Sequence, residues 1–547
     1  MKNGRVMGKR IPKVDAPERV TGTAVFGADF YLPGMLHGKA LRSPYPHARI
    51  KGIDYSKALE LEGVKAVTTW EDLPPRETAK GTAGGELLID IAHLRQVIIA
   101  HDKAFYDGHA VAAVAATDPY IARDALDLIE VDYEPLPVVD NALDAMKPDA
   151  PLLWDDLYAE TLGEKPDRPS NIAKHIELGR GEVEVGFREA DVVVEETYKS
   201  SMVHQGYIEP QATVAEVRPD GRINVWTTTQ GSFNIKKQLT ILLQLPHSQV
   251  RVVPLEIGGG FGGKIYVLLE MLATLLARKA GRPVKMVMSR EEVFKATGPG
   301  SPTFITVKTG AKRDGTLTSM QANLVYDAGA VPGSPVGAAT IVGVSPYKVD
   351  NLKIDGYDVV TNKPRVQAYR APGSTPISFA IESNMNMLAH KLNMDPVQLR
   401  LKNAVEEGDL NAADQPFNRI GMKQVLERVA QHPAWTSKLE GENRGRGVAV
   451  GYWMGATLAS SASVSINSDG TASLILGAVD LTGTRTTMVQ VAAEELGIDP
   501  EDISVTVGDT ESVGYTDLSA GSRITYSMST AVRNACLDAV AQLKRRA

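Results

Sequence analysis

Apolar positions along the 547-residue chain recur with two periods, and the switch between them marks where strands give way to helices. From Gly22 to about Val139, short alternating runs predict strands with two helices. The clearest helix lies in DPYIARDALDLIEVDYEPLPVV. Asp118 suits an N-cap, Pro119 suits the first helical position, and Ile121, Ala125, Leu128 and Ile129 form an apolar stripe before the pattern returns to strand. From Ile172 to Asn403, strand patterns such as RINVWTTT and FITVKTG alternate with long helical ones, including TPISFAIESNMNMLAHKLN ahead of Asp395 and Pro396. A further section opens near Gly421, with strands at VSINSD and TASLILGAV and a helix TTMVQVAAEEL stopped by Gly497. The last helix, through LDAVAQLKRRA, has a basic end that suits its dipole. The pattern predicts an α+β protein.

Between these sections, residues 134–171 are rich in proline and acid, which predicts a linker laid over a neighbouring domain. A prior of one domain per ~150 residues gives three or four domains. Composition is that of a globular chain, 43% hydrophobic and 23% charged, with no apolar run long enough to span a bilayer. No apolar segment follows the basic start MKNGRVMGKRIPKVDAPERV, so no secretory signal is expected and the cytoplasm is the expected compartment. The net charge of -7 and the scattered basic residues give no electrostatic basis for binding nucleic acid.

Candidate chemistry narrows by exclusion. Cys536 is the only cysteine, which removes internal disulfides and any metal centre needing several thiolates. It is expected as a small buried residue of the C-terminal helix, and any redox electrons must leave through a separate cofactor or subunit. His37, His47, His101, His109 and His204 form no metal-ligand pair, no G-x-S-x-G serine signature is present, and Ser301 reads as part of a loop.

What remains is EIGGGFGGKI at 256–265. Gly258, Gly260 and Gly263 fit a dinucleotide-binding G-x-G-x-x-G, while Gly258, Gly263 and Lys264 fit a P-loop until Ile265, whose alkyl side chain cannot hold Mg²⁺. VRVVPLEI before the glycines reads as a strand and YVLLEMLATLLARKAG after them as a helix, but the ribose-binding acid due roughly 20 residues on is met late, by Glu291 or Glu292. The plainer alternative is a tight strand-to-helix turn. So much glycine favours a surface bare enough for something to approach the amides. Two further polar points stand out: Gln230 in TTTQGSF, at the end of a strand, and Arg370 in VQAYRAPGST. Taken singly they read as a strand-end cap and a surface ion pair. Together with the loop they suit an anionic or oxo-rich cofactor.

In order along the chain, LHGKALRSPYPHARI, YDGHAVAAVAATDPYIARDALDLIEVDYEPLP, HQGYIEPQATVAEV, TTTQGSFNIKKQL, GGGFGGK, AYRAPG, IESNMNMLAHKLNMDPVQLRLKN, LGAVDLTGTRTTMVQVAAEELGI and VGDTESVGYTDLSAGSR resemble the molybdopterin-binding large subunit of the xanthine dehydrogenase and aldehyde oxidase family. The resemblance implies an a/b hammerhead domain over 16–138, a linker over 139–171, a first molybdopterin-binding domain over 172–415 and a second, incomplete one over 421–547. It implies a molybdenum–molybdopterin cofactor, in bacteria commonly in the cytosine dinucleotide form. Gln230 matches the glutamine at the molybdenum centre, Gly260, Phe261 and Gly262 match the loop whose amide, kept bare at Gly262, faces a metal oxygen, and Arg370 matches the arginine beside the cofactor. None of these is a direct metal ligand. Gly483, Gly521, Ser522 and Arg523 fall where the second domain contacts the cofactor, and Ile265 and Ala371 fall at the substrate pocket. Partner subunits carrying a [2Fe-2S] cluster and FAD, and a small-molecule substrate with an aldehyde or an aromatic or N-heterocyclic carbon, complete the implied system.

Four departures qualify it. Ile265 stands where purine-oxidising members carry glutamate, and Ala371 where carbon monoxide dehydrogenases carry cysteine, so both activities are disfavoured. Leu481-Thr482-Gly483-Thr484-Arg485 replaces the usual G-Q-G turn. The family's catalytic glutamate falls beyond Ala547, so the catalytic residue is unassigned and turnover from this chain alone is not expected. A truncated record, half of a split gene with a complementary C-terminal chain, and a degenerate subunit remain open. So do two other functions: a non-catalytic cofactor-binding or assembly partner, and a dinucleotide-binding dehydrogenase.

Overall fold

AVAAVAA, the strand Ala110–Ala116, is buried at every position, the mark of a strand covered on both faces. In the computed structural model, which describes residues 4–75, 81–84, 88–161 and 166–546, helix Pro119–Leu126 and helix Leu269–Ala280 both pack on it. Its sheet has seven strands in the order Val250–Pro254, Ile223–Thr227, Ala212–Val217, Val284–Val287, Leu36–Arg42, Ala110–Ala116 and Val64–Thr68. Leu36 pairs in parallel with Val284, so strands from the first section and from beyond residue 212 share one sheet. A Cβ on Gly38 would come 2.6 Å from Met286 Cγ, which fixes a small residue at that seam.

The chain divides into two compact units that cut across its linear order. The first comprises Met1–Pro137, His204–Gly298 and Gly455–Ala547, and the second Val138–Val203 and Pro299–Met454. In the first unit a separate three-stranded sheet, Ala462–Ile466, Ala472–Leu476 and Ile503–Val507, packs with helices Thr484–Leu496 and Ser529–Arg546 around its own core. Val6 enters that core from the N-terminal segment, and the backbone N–H groups of Arg5, Val6 and Met7 all donate to Glu494. Cys536 is fully buried there as expected, and burial pushes its thiol up to about 11.

The second unit is built on five strands in the order Val192–Ser200, Thr303–Ala311, Leu317–Gly329, Leu352–Val360 and Ile172–Arg180, with helix Ser374–Leu392 against them. The linker expected over 139–171 lies on this unit: Asn362 Oδ1 accepts from Val139 N at 2.9 Å, and Trp154 Nε1 donates to Ala330 O at 2.8 Å. Its residues 162–165 lie outside the described residues. The expected helices at 119, 374, 484 and the C-terminus are present. The early section holds an extra one, Ser56–Glu60, whose single turn is too short to show a helical period.

Arg400 is fully buried in the second unit, with Nε donating to Glu382 Oε2 at 2.8 Å, while Glu382 also accepts from Val450 N at 2.7 Å and from the hydroxyl of Tyr347. Removing one partner leaves a buried charge, so Arg400→Ala should cost about 3–5 kcal/mol in chemical denaturation. Replacing both Arg400 and Glu382 by apolar residues should cost less than that single change. His109 is fixed in one neutral tautomer, its Nε2–H donating to Gln96 O at 2.7 Å and its Nδ1 accepting from Phe105 N at 3.3 Å. Burial lowers its pKa to about 4. The unfolded chain therefore takes up a proton below about pH 6.5 that the folded chain refuses until about pH 4, so stability falls as pH drops through that window. Urea denaturation should show about 2–3 kcal/mol of loss from this group between about pH 7 and pH 4.5, and His109→Gln should remove that part of the slope.

Candidate functional site

Strand Ile223–Thr227 ends three residues before Gln230, which is 3% exposed and sits in the first unit. Its side-chain Oε1 accepts from Gly262 N at 2.8 Å and Lys264 N at 3.3 Å, and its Nε2 donates to Ser519 O at 2.9 Å. The backbone is tied to the same partners, Gln230 N donating to Lys264 O and Ser519 N to Gln230 O. One neutral side chain thus joins the glycine loop to the turn at 517–523.

Each glycine of the loop has a physical reason. A Cβ on Gly258 would lie 2.5 Å from Glu209 Cβ, on Gly260 2.5 Å from Gln230 Oε1, and on Gly263 2.7 Å from the Tyr207 ring, while Gly259 and Gly262 have φ of 95° and 107°. Lys264–Leu268 intervene before helix Leu269–Ala280 begins. The glycines therefore do not run into a helix N-terminus, as a dinucleotide or phosphate loop must. Nor is Lys264 free for phosphate: its buried ammonium lies 2.7 Å from Glu209 Oε2 and 4.9 Å from the centre of the Tyr207 ring. Burial lowers its pKa, and Glu209 opposes that shift without cancelling it.

The sequence reading expected a bare amide at Gly262. The structure corrects this, because that N–H is spent on Gln230. Within loop residues 258–263, all of them described, the N–H groups of Gly259, Gly260 and Phe261 donate to no protein acceptor, while Phe261 is itself 43% exposed with φ of 52°. Successive open amides in a loop of alternating handedness form a concavity for an anion or an oxo group. The carboxylates at the loop are already neutralised. Glu209 accepts from Gly258 N, Gly27 N and Lys264, and Glu256 is held by Arg19 at 2.8 Å and by Arg485.

The remaining expected residues fall in three settings. Arg523 is fully buried and its guanidinium donates to Leu518 O, Leu458 O, Ser460 Oγ and Asp517 O. It shapes the turn in which Gly521 and Ser522 have φ of 62° and 58°, so any contact to a cofactor there comes from the turn and not from its fork. Gly483 N donates to Asp480 Oδ1, which also accepts from Thr484 N, while Oδ2 accepts from Arg485 N. Burial alone would raise the Asp480 carboxyl, but these three N–H groups bring it below the ordinary range. Ile265 is 2% exposed, its carbonyl accepting from Asn234 and Gln238. Arg370 and Ala371 belong to the second unit, where φ of 31° and 60° precede Gly373 and helix Ser374–Leu392.

Non-glycine residues with positive φ give an independent pointer. Of the eight among the described residues, Gln244 and Asn393 cap helices, and Asp414 and Asn443 are types that tolerate the conformation. The other four are Phe261, Arg370, Ala371 and Ser522. Strain of this kind concentrates at ligand sites. Sequence reasoning missed Glu209, Tyr207, Ser519 and Asp480 as site-building residues; HQGYIEPQ, LGAVDLTG and TDLSAGSR, quoted for their resemblance, contain them without singling them out.

Residues 164–404 and 423–547 match molybdopterin cofactor-binding domains, and residues 21–137 match the aldehyde oxidase and xanthine dehydrogenase a/b hammerhead domain. The chain is 33% identical to a probable xanthine dehydrogenase subunit from Bacillus subtilis, over 97% of this chain and 70% of that protein. It is 34% identical to the nicotinate dehydrogenase large molybdopterin subunit of Eubacterium barkeri, over 79% of this chain and 97% of that one. Among solved structures, the aldehyde oxidoreductase of Desulfovibrio gigas superposes with a TM-score of 0.86 at 29% identity, over 98% of this chain and 60% of that chain. This chain belongs to the aldehyde oxidase and xanthine dehydrogenase family of molybdopterin-binding large subunits.

Two outcomes follow from the loop and the strained turns. Gly260→Ala should displace the Gln230 amide and cost about 1–3 kcal/mol in thermal or chemical denaturation, the range for leaving buried polar groups unpaired. Ala371→Gly should relieve left-handed strain and raise stability by about 1 kcal/mol.

Proposed function

We propose that this chain is the molybdenum-cofactor-binding subunit of a hydroxylase that oxidises an aldehyde or an aromatic or N-heterocyclic carbon with oxygen derived from water. The observation that carries the reading is the donor-lined loop. The amides of Gly259, Gly260 and Phe261 are open, Gln230 braces the loop through Gly262 and Lys264, and the carboxylates of Glu209 and Glu256 are paired. An electron-rich oxo and dithiolene group fits such a surface, because backbone N–H groups hold it without adding a competing charge. When bound, the cofactor supplies oxygen transfer and takes up two electrons. The chain's own share is to fix position: Gln230 sets the height of the loop, and the turn at Gly521, Ser522 and Arg523 presents further backbone to the cofactor. The names of its relatives, among them nicotinate dehydrogenase, quinoline 2-oxidoreductase and aldehyde oxidoreductase, support the substrate class.

The iron–sulfur and flavin groups are assigned to partner subunits, since one buried cysteine can hold no cluster. No described helix is long and apolar enough to cross a membrane, and the cytoplasm is the proposed compartment. No proton acceptor is assigned among the glutamates around the loop. Glu209 and Glu256 are ion-paired, and Glu270, whose carboxyl burial raises, is fully enclosed and bonded to Thr227 Oγ1 and Leu268 N.

Metal analysis of the protein co-expressed with its neighbouring reading frames should give stoichiometric molybdenum, and Gln230→Ala should lower that content several-fold. Turnover of an aldehyde or N-heterocycle is expected from the co-expressed assembly and not from the chain alone. Molybdenum without turnover in any assembly would favour the non-catalytic partner, and nicotinamide-dinucleotide binding without molybdenum would overturn the proposal.

A further inference from the structure

Within the first unit, the three-stranded sheet repeats the end of the seven-stranded one. Antiparallel strands Ala212–Val217 and Ile223–Thr227 join through a turn in which Arg218 N donates to Arg222 O at 2.8 Å, Gly221 N to Arg218 O at 2.9 Å and Arg222 N to Asp220 Oδ1 at 3.1 Å. Antiparallel strands Ala462–Ile466 and Ala472–Leu476 join in the same way. Asn467 N donates to Thr471 O at 2.9 Å, Gly470 N to Asn467 O at 3.1 Å and Thr471 N to Asp469 Oδ1 at 3.0 Å. In each copy a helix and then a single short turn, His247–Gln249 or Pro500–Asp502, lead to a strand parallel to the second one, with Val250 beside Ile223 and Ile503 beside Ala472. A further helix, Leu269–Ala280 or Ser529–Arg546, packs on the first strand of each copy.

The copies differ at one edge. In the first, strand Val284–Val287 lies antiparallel along the outer side of Ala212–Val217, with Thr213 opposite Met286 and Ala215 opposite Val284, and helix Leu269–Ala280 packs on both strands. Ala212, Thr213, Val214 and Ala215 are all buried there. In the second, among the described residues no strand lies beyond Ala462–Ile466, and none of its five residues is buried. Hydrogen bonding alternates along an antiparallel pair. The bonds Asn467 N to Thr471 O and Gly477 N to Ser461 O therefore assign Ser463 and Ser465 to the inner ladder. The N–H and C=O groups of Ala462, Val464 and Ile466 point outward, and among the described residues no partner takes them. This edge lines a groove of about 330 Å³ with Ala535, Ala539, Gln542 and the half-exposed Leu543 of helix Ser529–Arg546.

We propose that the edge is a docking site for one strand of a partner polypeptide, apolar at alternate residues, which pairs with Ala462–Ile466 as Val284–Val287 pairs with Ala212–Val217. The matching turns set the register: Ala462 and Val464 are the counterparts of Thr213 and Ala215, so the docked strand bonds to them. In the first copy the occupant buries Val284 and Met286 and leaves Lys285 and Val287 half-buried, which defines the alternation the second site takes. Main-chain bonds supply the affinity of such strand addition and the alternate side chains its selectivity. Opposite residues of an antiparallel pair share a face, so two copies meeting edge to edge would bring both helices Ser529–Arg546 over one groove. That favours a different polypeptide over a second copy of this chain. The site rests on the repeat, and its test needs no cofactor.

The probe is a labelled synthetic peptide RPVKMVMS, the sequence of residues 282–289, titrated into the full chain and followed by fluorescence anisotropy and hydrogen exchange. It should bind saturably and slow exchange over residues 462–466. The same peptide N-methylated at the positions of Val284 and Met286 cannot donate to the edge and should bind about tenfold more weakly or worse, which is about 1.4 kcal/mol. Val464→Pro removes an outward N–H and leaves the inner ladder intact, and should weaken the unmodified peptide to a similar degree. If Val464→Pro fails to fold, the contrast between the two peptides on the unaltered chain decides. Equal affinity for the two peptides, equal affinity in a folded Val464→Pro, protection elsewhere than 462–466, or no binding would overturn the proposal. So would self-association of the chain that Val464→Pro abolishes, since a second copy would then hold the edge.

Discussion

The side-chain amide of Gln230 holds the candidate site together. Its carbonyl gathers the N–H groups of Gly262 and Lys264, its amino group reaches Ser519, and its own backbone is paired to both segments. A charged residue could make either connection, but an amide makes both at once and leaves no net charge behind. The cost is steric. A Cβ at 260 would meet the amide oxygen, and the loop's other neighbours, Glu209 and Tyr207, close in on Gly258 and Gly263. Glycine is thus used here for close approach as much as for freedom of φ.

Around this joint, charge is spent before any ligand arrives. Lys264 and Glu209, and Glu256 with Arg19 and Arg485, form ion pairs among buried or nearly buried groups, and Asp480 is consumed by three backbone N–H groups. Such pairs add little net stability, since desolvation offsets attraction, but breaking one strands a charge. Their effect is positional. They fix the glycine loop, the short helix Ala16–Thr21 that carries Arg19 and the start of helix Thr484–Leu496, and they leave the amides of 259–261 as the open polar groups of the loop. The backbone carries strain at Phe261, Arg370, Ala371 and Ser522, and the surrounding bonds hold it there. In the second unit Tyr326 donates to Gly373 O and Ala371 O accepts from Ser374 N, and in the first the Arg523 guanidinium grips its own turn.

Much of this was legible in order of locality. The helix from Pro119 announced itself through Asp118, and the one ending at Leu496 through Gly497, because caps and periods are properties of adjacent residues. Gln230, Phe261, Gly262 and Arg370 were reached through family-like motifs, and the structure adds that Gln230 and Gly262 bond to each other. That bond was not foreseen, and it reverses the expectation of a bare amide at Gly262. Arg523 was expected as a cofactor contact, and its guanidinium proves to be used on the chain's own carbonyls. The partition into compact units was not legible at all, because the sheet joining Leu36–Arg42 to Val284–Val287 depends on pairing across some 250 residues of chain.

The sequence by itself determined most of the elements, the exclusion of internal disulfides and of centres needing several thiolates from this chain, and the concentration of backbone amides at 258–263, since each follows from residue type and short spacing. Only the tertiary structure decided which amides stay open, which carboxylates are neutralised, and that the glycines stop short of a helix. These depend on partners such as Glu209, Ser519 and Arg485, brought in from distant segments. Hydrogen bonds and ion pairs act over about 3 Å of space whatever the separation in sequence, so one dimension records the donors and acceptors and three are needed to pair them.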